Sequence, residues 1–225
     1  MPTPQGCNQR VRREGSGGHT LKKSKAETAQ TRRRIVEIAS KAFRSRGIEA
    51  TGVAEIMTAA GLTHGGFYRH FASKEELVAE AVALSLERLA LESRQAAEQG
   101  PESALNHALQ YLSPASRENV EDGCTFASTG SELVRASEKT RHIASEAFKR
   151  ALKNFAPLVH TPDDEDRIST AISVLTNMIG ALTMARMVDD PKLSDRILEV
   201  TRERLLESVA AVAKGRQVGK QHAIA

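Results

Sequence analysis

The stretch of sequence best suited to chemistry is a run of polar and basic side chains, THGGFYRH, at residues 63–70. On a short helix this spacing turns the hydrogen-bonding groups outward, while Phe67 and Phe71 face a core. Outward groups of this kind suit contacts with base edges in the major groove of DNA. Thr63 at the helix start orders amide groups that favour a nearby phosphate.

Other interpretations of the same residues stay open at this stage. Tyr68 can be a packing residue, and His64 and His70 can be ordinary surface histidines. Their separation of six positions is not the same-face spacing of paired helical metal ligands, so we predict no metal site here. The arginines at 32–34 can equally form a solvated helix face.

Helical periodicity predicts the elements that would position this run. A first helix over residues 26–46 carries an apolar stripe and stops at Gly47. A brief second helix from Val53 to Ala60 has Thr51 as its expected N-cap, and Gly61 supplies the turn after it. The third helix starts at His64, and a Ser73–Glu76 capping box opens a fourth helix over residues 74–99. Two short helices joined by a glycine-containing turn form the helix-turn-helix arrangement of DNA-binding proteins.

An array of residues in register extends over this whole region: Ala42, Phe43, Gly47, Thr51, Ile56, Ala60, Gly61, Gly65, Tyr68, Phe71 and Lys74. With this array, roughly residues 28 to 82 resemble the DNA-binding domain of TetR/AcrR-type repressors. Met57 and Gly66 depart from the family's usual residues but leave the fold expectation intact. Gly66 offers no side chain for base readout.

The resemblance implies a set of DNA contacts. Thr51 and Gly52 would touch phosphate at the start of the second helix, and Lys74 would do so at the start of the fourth. The recognition helix would bring its first residues closest to the major groove and use later ones for the backbone. The full expected set is Arg32, Arg33, Thr51, Gly52, Thr63, His64, Gly65, Gly66, Tyr68, Arg69, His70 and Lys74, with Arg34 near the phosphates.

The rest of the chain also shows helical patterns, so the predicted fold class is all-α. We expect further helices at about 102–112, 125–136, 138–156, 163–188 and 192–214, with a polar loop at 113–123. The predicted organisation is a flexible basic arm (1–26), a three-helix DNA-binding headpiece (27–73), a helical body (74–214) and a flexible tail (215–225).

The resemblance gives the body two roles, ligand binding and dimerisation. Candidate pocket residues, each of which can also be plain core, are Leu109, Cys124, Phe126, Phe148, Asn177 and Met178. The segment GCTFA at 123–127, with Ser131-Glu132-Leu133 after it, resembles a motif in one branch of the family. Cys124 is either a thiol sensor or a small buried residue.

A homodimer through residues 163–212 is supported by the sequence itself. Residues 172–188 are apolar with interspersed small residues, and Leu198, Leu205, Val209 and Val212 recur at heptad-like spacing. Paired with their symmetry mates, two such helices would make a four-helix bundle. The alternative is that both stripes are buried within their own chain.

Charge and composition favour a DNA-binding protein of the cytoplasm over an enzyme or a secreted protein. Residues 1–50 contain 12 Lys/Arg and 4 Asp/Glu, whereas residues 51–225 contain 20 Lys/Arg and 24 Asp/Glu. Positive charge is therefore concentrated in the N-terminal part, which is the part expected to contact phosphate. The two cysteines, Cys7 and Cys124, suit a reducing cytoplasm, and we expect no secretory signal and no membrane-spanning run. No phosphate loop, metal-ligand cluster or nucleophile motif points to an enzyme or a cofactor.

The expected function is a cytoplasmic transcriptional regulator, associated with the nucleoid when bound to DNA. The resemblance implies a repressor released from a palindromic operator by a small molecule. The alternatives are a non-specific architectural DNA-binding protein and a regulator triggered by thiol modification of Cys124.

Overall fold

The computed structural model describes residues 25–159 and 164–221, so Cys7 and nearly all of the predicted arm lie outside the described residues. Within these ranges every regular element is a helix, which confirms the all-α fold class. In chain order they are α1 (Lys25–Arg46), α2 (Val53–Ala59), the recognition helix (His64–Arg69), α3 (Lys74–Glu98), α4 (Pro101–Tyr111), α5 (Pro114–Glu118), α6 (Thr125–Leu133), α7 (Glu138–Phe155), a 3₁₀ helix (Ala156–Leu158), α8 (Asp164–Met187) and α9 (Pro191–Gln221).

The headpiece forms around an aliphatic and aromatic core. α1 contributes Ile35, Ala39 and Phe43, and the recognition helix contributes Phe67, each at most 2% exposed. The Phe67 and Phe71 rings stack with centroids 5.4 Å apart. This core continues into the body, because the same cluster of buried residues includes Leu133 at the end of α6 and Ala147 in α7.

Two glycines make the turns that the sequence predicts. Gly47 (φ 92°) ends α1, and Gly61 (φ 69°) ends the turn after α2, both in the left-handed region that other residues rarely adopt. The recognition helix that follows is a 3₁₀ helix, tighter than the expected α-helix.

The capping box that opens α3 is confirmed. Ser73 Oγ accepts a hydrogen bond from the Glu76 amide at 3.2 Å. The Glu76 carboxylate accepts from the Ala72 amide at 2.6 Å, one residue before the cap itself. These bonds satisfy amides that the first turn of a helix leaves unpaired, and they fix the direction in which α3 leaves the headpiece.

The body differs from the expected layout in two places. The polar segment expected to be loop contains α5, because Ser113 caps the Ser116 amide at 3.2 Å and Pro114 occupies the first turn. α9 continues to Gln221, past the expected end at 214, although the side chain of Val212 lies outside the described residues.

α8 is more apolar over its length than expected from the sequence. Its segment Arg167–Met187, of 21 residues, contains an 18-residue window with a mean hydropathy of 1.5, so it is long and apolar enough to cross a membrane by length and composition. The expectation that no run reaches this length is therefore wrong. Residues such as Ala171 and Leu182, at most 1% exposed, pack within the body, as in the core helix of a globular domain.

Gly123, in the loop before α6, is required by close packing. A Cβ atom there would lie 2.6 Å from the Asn119 carbonyl oxygen and 2.8 Å from Arg186 Nη2. A Cβ on Gly130, inside α6, would meet nothing within 4 Å.

We therefore expect Gly123→Ala to lower the free energy of unfolding by about 1–3 kcal/mol, because the loop must shift. Gly130→Ala should instead raise it by about 0.5–1 kcal/mol, since alanine favours the helix. Urea unfolding of both variants tests this pair. Equal effects of the two substitutions would show that the loop accommodates a side chain freely.

Candidate functional site

The recognition helix presents a polar face to solvent. Thr63, His64, Gly65 and Arg69 are exposed, and the Tyr68 side chain is 70% exposed. The opposite face buries Phe67 against the headpiece core. Tyr68 is thus not a packing residue, since an aromatic ring of this size left in solvent is available to a partner.

Two glycines leave the backbone bare beside this face. A side chain at Gly52 or Gly65 would meet nothing within 4 Å, so packing does not require glycine at either position. Gly66 is half-buried, and a Cβ there would lie 3.6 Å from Met57 Cε, an ordinary contact. The open positions let another molecule approach the backbone closely.

The expectation for Thr51 is wrong. Its side chain is fully buried, and its hydroxyl donates to the Gly47 carbonyl oxygen at 2.6 Å, inside the turn between α1 and α2. Gly52, not Thr51, occupies the N-cap position of α2. Thr51 therefore holds the turn together and does not reach phosphate.

Arg32 also has a structural role in place of the expected one. Its guanidinium lies 4.1 Å from the centre of the Phe71 ring, donates to Glu76 at 2.8 Å and pairs with Glu80. These contacts join α1 to the start of α3, and the two carboxylates raise the pKa of Arg32 despite its partial burial.

The remaining predicted contacts lie on the surface or near it. Arg33 is exposed and pairs with Glu37 at 3.1 Å, one turn along α1. Lys74 is half-buried, and its ammonium group donates to the Glu49 carbonyl oxygen at 3.4 Å. His70 is half-buried at the C-cap of the recognition helix. Exposed pairs of this kind contribute little free energy, so they do not prevent contact with phosphate.

Arg44 links the headpiece to the body and was not predicted. Its side chain on α1 is only 6% exposed. The guanidinium donates to the Glu121 carbonyl oxygen at 2.6 Å, to Ser40 Oγ at 2.7 Å and to Ser85 Oγ at 2.5 Å. Burial lowers the pKa of Arg44, and the positive charge of Arg88 lowers it further.

Glu132 provides a second link at the other end of α6. Its carboxylate accepts the backbone amides of Ile48 at 3.0 Å and of Glu49 at 2.9 Å. These amides belong to the turn that leads from α1 into α2. The end of α6 therefore holds the first part of the helix-turn-helix in place.

A cavity of about 130 Å³ lies within the body, between α3, α4, α6, α7 and α8. Four of the predicted pocket residues line it: Cys124, Phe126, Phe148 and Met178. Leu109 and Asn177 do not line it; Asn177 lines a groove of about 850 Å³ between α8 and α9 instead. Phe126 and Phe148 meet edge to face across the wall, with ring centroids 5.9 Å apart.

The cavity has a few polar groups that the sequence analysis missed. Ser93 and His107 pair with each other, with Ser93 Oγ and His107 Nε2 3.3 Å apart. The Tyr111 hydroxyl is buried and lies beside Cys124. Burial raises the pKa of Tyr111 well above its ordinary value, and the neighbouring Cys124 adds to the effect.

The outer faces of α8 and α9 expose large apolar side chains. On these helices Met187 is 65% exposed, and Ile168, Ile172, Met184, Leu193 and Leu206 are each 42–49% exposed. Exposed apolar side chains of this size are typical of surfaces that bind other protein chains.

Comparison with known proteins assigns the headpiece. Residues 35–81 match the family described as bacterial regulatory proteins, tetR family. The chain carries the tetR-family domain. The resemblance predicted from the sequence is thereby confirmed, and the matched residues include the recognition helix and most of the contacts expected around it.

Individual relatives agree with this assignment. The HTH-type transcriptional regulator AcrR of Shigella flexneri is 39% identical over 64 residues, 28% of this chain and 30% of AcrR. The HTH-type transcriptional repressor KstR2 of Rhodococcus jostii is 32% identical over 117 residues, 52% of this chain and 54% of KstR2. The chain thus spans about a third of the length of one of these relatives and about half of the length of the other.

The fold extends beyond the tetR-family domain. The crystal structure of a TetR-family transcriptional regulator from Agrobacterium tumefaciens superposes with a TM-score of 0.67 at 18% identity, covering 79% of this chain and 98% of that one. The body therefore shares its helical architecture with a TetR-family structure even where the sequences have diverged.

Asp122 forms a further link between the headpiece and the body, and this link gives a test that depends on pH. Its carboxylate accepts from Arg88 at 2.9 Å and pairs with Lys41 at 3.3 Å, and these partners, Arg88 above all, lower the pKa of Asp122. A depressed carboxyl pKa stabilises the folded state above the ordinary value near 4 and loses that effect as pH falls through the folded-state pKa.

We expect Asp122→Asn to unfold at lower urea concentration than the wild type at pH 7. The difference should shrink as pH falls below about 4, because the wild-type carboxylate is then protonated as well. Urea melts between pH 7 and pH 3 measure it. A difference in urea midpoint that stays constant with pH would show that the charge of Asp122 does not stabilise the contact between the headpiece and the body.

Proposed function

We propose that this tetR-family chain is a cytoplasmic transcriptional regulator, a repressor released from a palindromic operator by a small molecule. The observation that carries the proposal is the recognition helix, exposed and polar on one side and held by Phe67 and Phe71 on the other. A rigid helix with such a face can enter the major groove of operator DNA.

The DNA contacts follow from exposure. The start of the recognition helix faces the bases, and Gly52 lets a phosphate approach the start of α2. Tyr68, Arg69, His70 and Lys74 contact the phosphate backbone together with Arg33. Thr51 and Arg32 drop out of the predicted set, because both are engaged inside the headpiece. The contacts nearest the bases are those of Thr63, His64, Gly65 and Gly66.

Homodimerisation through α8 and α9 is part of the proposal. The exposed apolar side chains on these helices provide a surface that a second copy would bury. A dimer places two recognition helices on half-sites about one helical turn of DNA, roughly 34 Å, apart. The palindromic operator follows from this symmetry.

Release by a ligand is supported by the position of the cavity. Cys124 and Phe126 line it at the start of α6, whereas Glu132 near the end of α6 holds the turn before α2. α3 also joins the two parts, since Leu86 lines the cavity and the start of α3 packs on the headpiece. A ligand that shifts either helix changes the separation of the two headpieces.

The two alternative functions are less well supported. An architectural DNA-binding protein needs a basic surface but has no use for a helical body with an internal cavity. Thiol modification of Cys124 would require access to a side chain that is only 6% exposed, and a buried thiol reacts slowly. Non-covalent occupation of the cavity therefore fits better than covalent sensing.

The DNA proposal is tested by selecting bound sequences from a random DNA pool and then comparing two arginine variants. Arg69→Ala should weaken binding to the selected site about tenfold or more, because the recognition helix loses a cationic contact. Arg94→Ala removes the same charge near the far end of α3, about 30 Å along the helix from its start, and should leave affinity unchanged.

A palindromic selected site and a selective effect of Arg69→Ala are the expected outcome. Binding without a preferred sequence would support the architectural alternative. An equal loss in both variants would show that only overall charge matters and would remove the recognition helix from the proposal.

The dimer is tested with two variants of equal exposure. Ile172 on α8 and Leu91 on α3 are both 42% exposed. Ile172→Glu should convert a micromolar dimer into a monomer in sedimentation velocity, because it places a carboxylate in the apolar interface. Leu91→Glu should remain dimeric. A wild-type chain that sediments as a monomer at micromolar concentration would contradict the proposal.

A further inference from the structure

A buried chain of hydrogen bonds runs from the headpiece to α6 through two hydroxyl groups. Arg44 Nη1 on α1 donates to Ser85 Oγ on α3 at 2.5 Å. The Ser85 hydroxyl is hydrogen-bonded in turn to Thr125 Oγ1, in the first turn of α6. Ser85 is 6% exposed and Thr125 is 2% exposed, so bulk water does not compete for either hydroxyl. The Ser85 hydroxyl therefore links α1, α3 and α6.

Each member of this chain depends on the next. A guanidinium group can only donate, so the Ser85 oxygen accepts from Arg44. Within residues 25–159 and 164–221, Ser85 is the one hydrogen-bond partner of the Thr125 hydroxyl. Removing the Thr125 hydroxyl would break the side-chain bond between α3 and α6 and leave the Ser85 hydroxyl free to rotate beside the buried cation. Such a change reaches the headpiece through Arg44.

The cavity lies one residue away from this bond on both helices. Leu86 follows Ser85 on α3, and Cys124 and Phe126 flank Thr125, and all three of these neighbours line the cavity. Its volume of about 130 Å³ is close to that of the apolar cavities of roughly 150 Å³ that accept benzene, so it can hold about one six-membered ring. The contact between α3 and α6 thus has the cavity on one side and the buried arginine on the other.

We propose that Ser85 and Thr125 are positioning residues for DNA binding, whose hydrogen bond sets the orientation of the headpiece through Arg44. The inference rests on the proposed function, because its readout is affinity for operator DNA. Two recognition helices reach both half-sites together only when each headpiece has the right orientation, and fixing that orientation beforehand lowers the entropy cost of binding. A molecule in the cavity that separates α3 from α6 would break the same bond.

The test compares two buried threonines of α6. The Thr125 hydroxyl bonds across to α3, whereas Thr129, 1% exposed, donates to the Thr125 carbonyl oxygen of its own helix at 2.9 Å. Valine has nearly the shape of threonine without the hydroxyl. Thr125→Val should weaken binding of the full-length protein to the selected DNA site about fivefold, the scale expected for one lost hydrogen bond. Thr129→Val should leave this affinity unchanged.

A conservative variant separates positioning from packing. Affinities are measured well below the melting temperature of every variant, so that a loss of stability alone does not change the amount of folded protein. Thr125→Ser keeps the hydroxyl and should bind DNA like the wild type, although loss of the methyl group lowers its melting temperature. A threonine needed only for packing would give the opposite result, with Thr125→Val normal and Thr125→Ser impaired.

A double variant tests whether the two hydroxyls act as one unit. Ser85→Ala should weaken DNA binding at least as much as Thr125→Val, because it also removes an acceptor of Arg44. Adding Thr125→Val to Ser85→Ala should cost nothing more, since the shared bond is already lost.

Three outcomes would overturn the inference while the proposed function stands: unchanged or tighter DNA binding by Thr125→Val, equal losses in Thr125→Val and Thr129→Val, or additive losses in the double variant. A wild-type chain that selects no DNA site would contradict the proposed function itself, and the inference with it. The wild-type measurement therefore distinguishes the two failures.

Discussion

Burying a guanidinium group costs free energy unless its N–H groups find oxygen atoms, and Arg44 imposes this requirement at the centre of the molecule. Its hydrogen bonds go to the carbonyl oxygen of Glu121 and to the hydroxyls of Ser40 and Ser85. These acceptors come from three parts of the chain: α1 itself, α3 and the loop before α6. The headpiece cannot move away from the body without breaking at least one of these bonds, which would expose a poorly solvated cation.

α6 extends this constraint to both functional regions. Near its start, Thr125 bonds to the same Ser85 hydroxyl that accepts from Arg44, and Phe126 lines the cavity. Near its end, Glu132 holds the amides of Ile48 and Glu49. One helix of nine residues therefore lines the cavity, reaches the buried cation through Ser85 and holds the entry to the helix-turn-helix. α3 also runs from the headpiece to the cavity, so α6 is a second connection beside it.

The headpiece could be predicted from sequence because its determinants are local. Glycine turns, a capping box and two phenylalanines four residues apart each act over a few positions, and the tetR-family match confirms the pattern. Thr51 was misjudged because a threonine before a helix is usually a cap, and only the packed structure shows its hydroxyl turned toward Gly47.

The site in the body could be predicted only in part, since it depends on contacts between distant residues. Glu132 lies 84 positions from its partner Ile48, and Arg44 lies 77 from Glu121. Periodicity could not separate Cys124 and Phe148, which reach the cavity, from Leu109 and Asn177, which do not. Leu109, Phe148 and Asn177 lie within helices and Cys124 is the N-cap of α6, so the rotation of each helix about its axis decides which side chains reach the cavity. The one hint was the Ser131-Glu132-Leu133 segment, whose resemblance to a family motif gave no role for the carboxylate.

The size of the cavity limits how the proposed switch can work. To shift a two-state equilibrium from mostly bound to mostly released, a ligand must favour one state by about 5 kcal/mol. A ring of fewer than ten heavy atoms has little binding energy to spare for this. The two conformations must therefore be nearly balanced before the ligand binds. Links such as those of Arg44 and Glu132 have the appropriate scale, because hydrogen bonds to charged groups contribute about 1.5–3 kcal/mol each. Losing one of these hydrogen bonds is enough to shift a balanced equilibrium between the two conformations. A larger hydrophobic interface between headpiece and body would be too stable for a ligand of this size to disrupt.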